Sequence, residues 1–269
     1  MKVSVIIPSL NPDEKLICVV DSLREAGFDD IILVNDGSDE NHMEPFEHVS
    51  AYPECTILTH EVNKGKGRGL KTAFEYCIKN RPDIDGVVTV DGDNQHKAAD
   101  ILKCCEKMAE CKDKVVLGVR NFSGKDVPFK SRFGNNMTSF VFKFACGLNI
   151  SDTQTGLRAI PAQFLKTFCE VKGERFEYET NMLLELRQSN IGFVEVPIQT
   201  VYIEENASTH FNPIKDSLKI YGVIFKFLFS SIASSVIDLA MFALISALMF
   251  GKLDGSIRIF TATLGARII

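Results

Sequence analysis

The sequence predicts an α/β domain built on a mostly parallel central sheet, with an apolar C-terminal segment behind it. Three observations carry that expectation. Over the first 120 residues, short β-branched runs alternate with segments of helical period. The runs are nearly continuous aliphatics, the pattern of a parallel sheet covered on both faces. A chain of 269 residues with 45% apolar content also suffices for one large core plus an appendage.

The elements follow in order. "VSVIIP" (3–8) is the first strand, and the opening "MKVSVIIPSL" lacks the length and the small-residue cleavage site of a signal peptide. "KLICVVDSLREAG" places Leu16, Val19, Val20 and Leu23 on one helical face and stops at Gly27. "DIILV" (30–34) and "TILT" (56–59) are strands, and "LKTAFEYCIKN" gathers Leu70, Ala73, Phe74, Cys77 and Ile78 on one helical face. "GVVTV" (86–90) is a strand, "ADILKCCEKMAE" a helix and "VVLG" (115–118) a strand. Residues 121–150 are rich in Phe and Lys. Phe129, Phe133, Met137, Phe140, Val141 and Phe144 can share one helical stripe, as a core helix or as a helix in a membrane interface. "GERFEYETNMLLELRQ" (173–188) reads as a core helix, leaving open whether Glu177 and Glu179 approach a site, and "FVEVP" (193–197) is a late strand.

From Phe227 to Phe250 the chain runs 24 residues with one charge, Asp238. That length predicts a transmembrane helix. Lys215, Lys219 and Lys226 just upstream predict a cytoplasmic catalytic domain at the cell membrane. The closing "TATLGARII" resembles the start of a further apolar segment, so the expectation is a chain that continues past residue 269. The boundary is expected at 215/216.

A net charge of −5 argues against a general nucleic-acid binder. The eight cysteines form no CxxC pair, which predicts reduced, mostly buried thiols rather than disulfides or a zinc site.

Chemistry concentrates where strands end. "VTVDGDNQH" closes a buried strand with Asp91 and Asp93, spaced so that an extended backbone points both carboxylates the same way. Two anions that close repel unless a cation lies between them. Paired oxygen ligands suit Mg²⁺ or Mn²⁺ carrying a diphosphate, and no Cys/His cluster supports zinc. "VNDGSDE" ends another strand in Asp36, where a carboxylate could accept from ribose hydroxyls or a base N–H. "NKGKGRGLKT" (63–72) fails as a P-loop because Leu70 precedes Lys71-Thr72, and it comes too late for a dinucleotide fingerprint. What remains is a flexible basic loop entering a helix N-terminus, with Lys66 placed for phosphate.

In that order, "VSVIIPSLNPDEKL", "ILVNDGSDE", "NKGKGRGLKTAFEY", "VVTVDGDNQH", "VLGVRNF" and "DTQTGLRAI" resemble the inverting family-2 glycosyltransferases, in particular the dolichol-phosphate mannose synthase-like polyprenyl-phosphate hexosyltransferases. The resemblance covers roughly residues 1–215. The tail resembles the start of the small GtrA-like membrane domain of flippase-like proteins of O-antigen glucosylation. The family implies a GT-A fold, a nucleotide-sugar donor of UDP-glucose or GDP-mannose type, a divalent metal and a polyprenyl-phosphate acceptor in the membrane. A homo-oligomer is compatible with it.

Carried over by position, Pro8 and Leu10 would line the base pocket and Asp36 would hold the nucleoside. Asp91, Asp93 and Gln95 would surround the metal and diphosphate. Arg120 and Arg132 would face donor or acceptor phosphates. Asp152 and Gln154 would lie beside the sugar, with Arg158 supporting their loop. Leu10 stands where relatives carry an aromatic, Pro12 where they carry Glu, and Asn35 replaces a frequent Asp, so UDP and GDP both stay open. An acceptor phosphate is already ionised at cytosolic pH, so Asp152 is expected to orient rather than deprotonate. His210 reads as a surface-loop histidine, with a contact to lipid phosphate as the alternative. Two other readings remain: a polysaccharide or teichoic-type transferase with a sugar-hydroxyl acceptor, and a non-catalytic nucleotide-sugar-binding scaffold.

Overall fold

The computed structural model describes residues 1–121, 129–199 and 215–248, together with Ile259 and Thr263. The chain divides into two compact units, Met1–Ile220 and Tyr221–Ile269.

The first unit is a seven-stranded sheet with helices on both faces. Its strands are β1 (Val3–Ser9), β2 (Ile31–Asn35), β3 (Cys55–Thr59), β4 (Gly86–Thr89), β5 (Lys114–Arg120), β6 (Arg158–Pro161) and β7 (Gly192–Ile198). They lie in the order β3-β2-β1-β4-β6-β5-β7. β1 pairs in parallel with β2 and β4, β2 with β3, and β5 with β7. Only β6 among these strands runs against its neighbours β4 and β5. The sheet is therefore mixed and mostly parallel, and β4 and β5 point the same way with β6 between them.

The aliphatic runs behave as expected. Val5, Ile7, Ile31 and Leu33 are fully buried and pack with Leu16, Val19, Val20 and Leu23 of α1 (Lys15–Glu25) and with Ile101, Cys104 and Cys105 of α4 (Ala98–Glu110). Alternation turns Ile6 and Ile32 to the opposite face. There α3 (Lys66–Asn80) supplies buried Leu70, Ala73 and Phe74. Gly27, at φ 88°, follows the end of α1, where a left-handed residue closes a helix.

Three elements escape the sequence pattern: α2 (Glu44–Ser50), α6 (Leu165–Glu170) and β6. The two helices are too short to display a helical repeat. β6 has only four residues and begins with a buried arginine, which no aliphatic run would signal.

The Gly-rich stretch is a correction. It was expected as a flexible loop, yet α3 already begins at Lys66. Gly65 precedes it at φ 105°, and a Cβ on Gly67 would lie 2.4 Å from Tyr178 Cβ. Tyr178 belongs to α7 (Glu177–Gln188). These glycines let α3 approach α7 closely, so their function is packing rather than looseness.

The Phe/Lys-rich segment contributes α5 (Phe129–Cys146), from which Phe140 and Phe144 stand exposed with ring centroids 4.4 Å apart. The expected apolar span falls largely within α8 (Lys215–Leu248). Phe225, Phe229, Ile232, Val236 and Leu239 on that helix are exposed. Among the described residues, no helix is long and apolar enough to cross a membrane, so the expected crossing is not borne out by the structure. Five serines, at 230, 231, 234, 235 and 246, and Asp238 interrupt the apolar run that prompted the expectation.

Candidate active site

Parallel pairing brings the carboxyl ends of β1, β2, β4 and β5 to one edge of the sheet. Asp36, the Asp91–Asp93 turn and Arg120 all follow or end those strands. Because β6 runs the other way, the 151–157 loop enters the sheet at the same edge and delivers Asp152 there. The topology thus collects residues more than a hundred positions apart, at the place where ligands of open α/β sheets bind.

At the centre is Asp91. Its Oδ1 lies 2.7 Å from the Lys66 ammonium, which also reaches Glu179 Oε2 at 3.0 Å. Lys66 comes from the first turn of α3 and Glu179 from the first turn of α7, so the close α3–α7 approach is what lets one ammonium serve both. Behind Asp91 is Gly156, where a Cβ would fall 2.5 Å from Oδ2. Thr89 Oγ1 donates to the Gly156 carbonyl at 2.6 Å and pins that loop to β4. The Asp91 backbone N–H points at His96 Nδ1, 3.4 Å away.

Asp93 and Gln95 are half-buried beside Asp91, and the Gln95 N–H donates to Asp93 Oδ1 at 3.1 Å. Asn94 between them takes a left-handed φ of 61°, which Asn tolerates better than most residues. The two carboxyls differ electrostatically. Burial pushes both upward, but Lys66, His96 and Arg120 draw Asp91 down to about 2. At Asp93, burial and the charge of Asp91 together hold the carboxyl above its ordinary value. Burial also keeps the His96 imidazole below its usual range.

This environment can be tested for a divalent ion. Among the described residues, no three His, Cys, Asp or Glu side chains form a metal cluster. The local set is instead two carboxylates and the Gln95 amide, all oxygen donors. Such a set suits a hard cation that keeps waters and takes diphosphate oxygens to complete its shell. Asp93, short of positive charge beside an anion, is a carboxylate that a cation would stabilise. The residues present therefore fit the group.

A second cluster surrounds Asp152, whose side chain is fully buried. Arg120 donates to it from the backbone N–H at 3.1 Å, from Nε at 2.8 Å and from Nη2 at 3.2 Å, and the Gln154 N–H adds a bond at 3.0 Å. Asp152 was expected beside the sugar. In this structure its oxygens hold Arg120 and the 152–154 turn. The Gln154 side chain lies exposed next to Gly134 of α5.

Arg158 does support the loop. It is fully buried, with Nη1 donating to the Glu179 carbonyl at 2.8 Å and Nη2 to the Thr155 carbonyl at 3.4 Å. Burial depresses its guanidinium. Arg158 therefore links the 155–158 segment to the first turn of α7, close to the Lys66 ion pair.

Asp36 is also buried, and its carboxylate organises protein rather than facing solvent. It accepts from Lys64 N–H at 2.9 Å and Gly65 N–H at 2.7 Å, and His60 Nδ1 lies 2.7 Å from Oδ1. It thereby fixes the residues that launch α3 and carry Lys66. Pro8 and Leu10, half-buried at the end of β1, sit near this loop, with the Pro8 Cβ close to Gly69 of α3. Asn11 ties the β1 and β2 ends together through Ser38 and Asp39.

The structure brings together Asp91, Asp93, Gln95, Lys66, Arg120, Asp152 and Gln154. Arg132 lies on α5, but its side chain is outside the description, and His210 lies outside the described residues altogether. Two participants were not assigned from sequence. The sequence leaves Glu179 open together with Glu177; the latter instead accepts from the backbone N–H groups of Glu174 and Arg175. Gly156 gave no signal beyond its place in "DTQTGLRAI".

Residues 4–169 match the family model described as Glycosyl transferase family 2. The chain is 30% identical over 220 residues to the UDP-N-acetylglucosamine–dolichyl-phosphate N-acetylglucosaminyltransferase of Methanococcus voltae, covering 74% of this chain and 85% of that one. It is 26% identical over 212 residues to the undecaprenyl-phosphate mannosyltransferase of Micrococcus luteus, covering 75% and 84% respectively. Among solved structures, glucosyl-3-phosphoglycerate synthase from Mycobacterium tuberculosis, in complex with Mn²⁺, UDP and glucosyl-3-phosphoglycerate, superposes with a TM-score of 0.59. Its identity is 16%, with 85% of this chain and 79% of that one covered, so the likeness is one of fold, the GT-A fold.

Proposed function

The chain belongs to glycosyl transferase family 2, and from that premise we propose that it transfers a hexosyl group from a nucleoside-diphosphate sugar to a polyprenyl phosphate, with inversion, at the cytosolic face of a membrane. The observation that carries the reading is the Asp91–Asp93 pair at the carboxyl edge of the sheet, flanked by Lys66 and with Arg120 on the same edge. The names of the two relatives, one a UDP-GlcNAc enzyme and one a mannosyltransferase, support the lipid-phosphate acceptor and leave the sugar between them.

In this reading Asp91, Asp93 and Gln95 would hold Mg²⁺ or Mn²⁺, which when bound neutralises charge on the departing diphosphate. Lys66 and Arg120 add fixed positive charge around the same leaving group. Pro8, Leu10 and the 60–65 loop held by Asp36 form the wall for the nucleoside. An acceptor phosphate oxygen attacks the anomeric carbon. The bond to the diphosphate breaks, and the nucleoside diphosphate leaves with the electron pair. Asp152 is committed to Arg120, and that commitment favours an acceptor that arrives ionised over a sugar hydroxyl needing a base. Arg132 remains the proposed contact for acceptor phosphate. The exposed apolar side chains of α8, with Lys215, Lys219 and Lys226 in the same helix, support membrane association with the catalytic unit on the cytosolic side.

Membranes containing the protein should be incubated with radiolabelled UDP- and GDP-sugars and polyprenyl phosphate. Label in lipid from one donor identifies the reaction, and Asp91→Ala or Asp93→Ala should nearly abolish it. Label appearing only in non-lipid glycan would transfer the assignment to a hydroxyl acceptor, and no product from any donor would remove it.

A further inference from the structure

Lys66 occupies an unusual position: one ammonium, on the first turn of α3, divided between two carboxylates at 2.7 Å and 3.0 Å. One of them, Asp91, belongs to the metal-binding pair of the proposed function. The other, Glu179, has no place in that pair. We propose that Glu179 is the positioning residue for Lys66: it receives the ammonium when a divalent ion takes Asp91, and so sets how readily the ion binds.

The argument is one of competition for a single carboxylate oxygen. An ammonium on Asp91 Oδ1 and a divalent cation on the same carboxylate repel each other, so loading the ion requires Lys66 to loosen that contact. Lys66 cannot simply turn to solvent at no cost, because its side chain is only 20% exposed. Its backbone is also fixed, with Gly65 and Gly67 packed against Glu174, Arg175 and Tyr178. Glu179 supplies the alternative partner without any backbone movement. It is held firmly, on the first turn of α7 with its carbonyl bonded to the buried Arg158. An ammonium drawn fully onto Glu179 stays at the site as positive charge for a diphosphate instead of being expelled.

This inference rests on the metal-dependent reading above. Its test is Mn²⁺ binding, followed by the EPR signal of free Mn²⁺ in a titration of the full-length protein without donor sugar, in wild type, Lys66→Met, Glu179→Gln and the double variant. Lys66→Met removes the competitor and should tighten Mn²⁺ binding at least about fivefold. Glu179→Gln leaves Lys66 with Asp91 alone and should weaken binding by a similar factor. Mere through-space fields would give the same two signs, so the double variant decides. If Glu179 acts through Lys66, its substitution has no further effect once Lys66 is gone. If the Glu179→Gln loss persists undiminished in the Lys66→Met background, the inference is overturned. Failure of Lys66→Met to tighten binding overturns it equally. Lys66→Gln repeats the cycle should Lys66→Met fold poorly. Wild-type protein that binds no Mn²⁺, even with UDP or GDP added, would refute the metal-dependent reading itself, an outcome distinct from binding with additive effects.

Discussion

Arg120 closes on both carboxylate oxygens of Asp152, with Nε at 2.8 Å and Nη2 at 3.2 Å, while its own backbone N–H completes the clasp. Asp152 is the last acidic residue before the turn into β6, and Arg120 is the last residue of β5. The pair therefore ties the end of one strand to the approach of its antiparallel neighbour and fixes a guanidinium at the sheet edge. Arg120→Ala leaves a fully buried carboxylate without its partner, which costs about 3–5 kcal/mol. Arg120→Lys should recover only part of this, because an ammonium cannot span both oxygens. Urea unfolding checks it. An Arg120→Ala midpoint equal to wild type would show that the clasp contributes nothing.

Gly156 makes room for the Asp91 carboxylate. A methyl group there would lie 2.5 Å from Oδ2 and 2.8 Å from Oδ1, too close for either to stay. Gly156→Ala should displace Asp91 from Lys66 and lower turnover by about 10²-fold, the scale of a misplacement near 1 Å. Circular dichroism should find the fold intact. Unchanged turnover at saturating donor would mean that Asp91 need not sit where it does.

How much of this was legible follows from what each residue contributes. The strands of β1, β2 and β4 announce themselves because Val5, Ile7, Ile31, Leu33 and Val88 are buried on one face of the sheet and Ile6, Ile32 and Val87 on the other, so the runs must be continuously aliphatic. Asp91 and Asp93 are equally visible, since two acids ending such a run contradict burial. β6 is hidden because its charge, Arg158, is buried for electrostatic reasons that spacing cannot express. The Lys66–Glu179 contact joins positions far apart in sequence and depends on glycines whose purpose is only evident once Tyr178 is seen against them. Asp36 was found by its place at a strand end, but its two loop N–H partners lie more than twenty residues downstream.

Asp36 offers a separable test of the loop that carries Lys66. Asp36→Ala would orphan the buried N–H of Gly65, at about 1–3 kcal/mol, and release the part-buried N–H of Lys64 toward solvent. His60 would lose its Nδ1 partner while keeping Thr72, 3.0 Å from Nε2. Loosening this loop shifts the start of α3, so affinity for UDP or GDP should fall along with stability. Calorimetric titration of nucleotide into Asp36→Ala measures it. Wild-type affinity would show that the loop does not shape the nucleotide site.

The cysteines give a prediction in pH. Cys104 and Cys105 lie on the buried face of α4, and burial pushes both thiols up to about 12 from an ordinary value of 9.0. Between those values the unfolded chain releases protons that the folded one retains. The stabilisation is thus complete below about pH 9 and is lost as pH rises toward 12, with a limiting slope of about 1.4 kcal/mol per pH unit for each thiol. Stability should be insensitive to these groups at pH 7–8 and decline above 9. A Cys104→Ala, Cys105→Ala variant, though less stable overall from lost volume, should show a shallower alkaline decline. The same burial predicts that iodoacetamide at pH 8 labels exposed Cys18 in the native protein and leaves Cys104 and Cys105 unmodified until denaturant is added. Peptide mass mapping that found all three labelled at one rate would contradict the packing of α4 on the sheet.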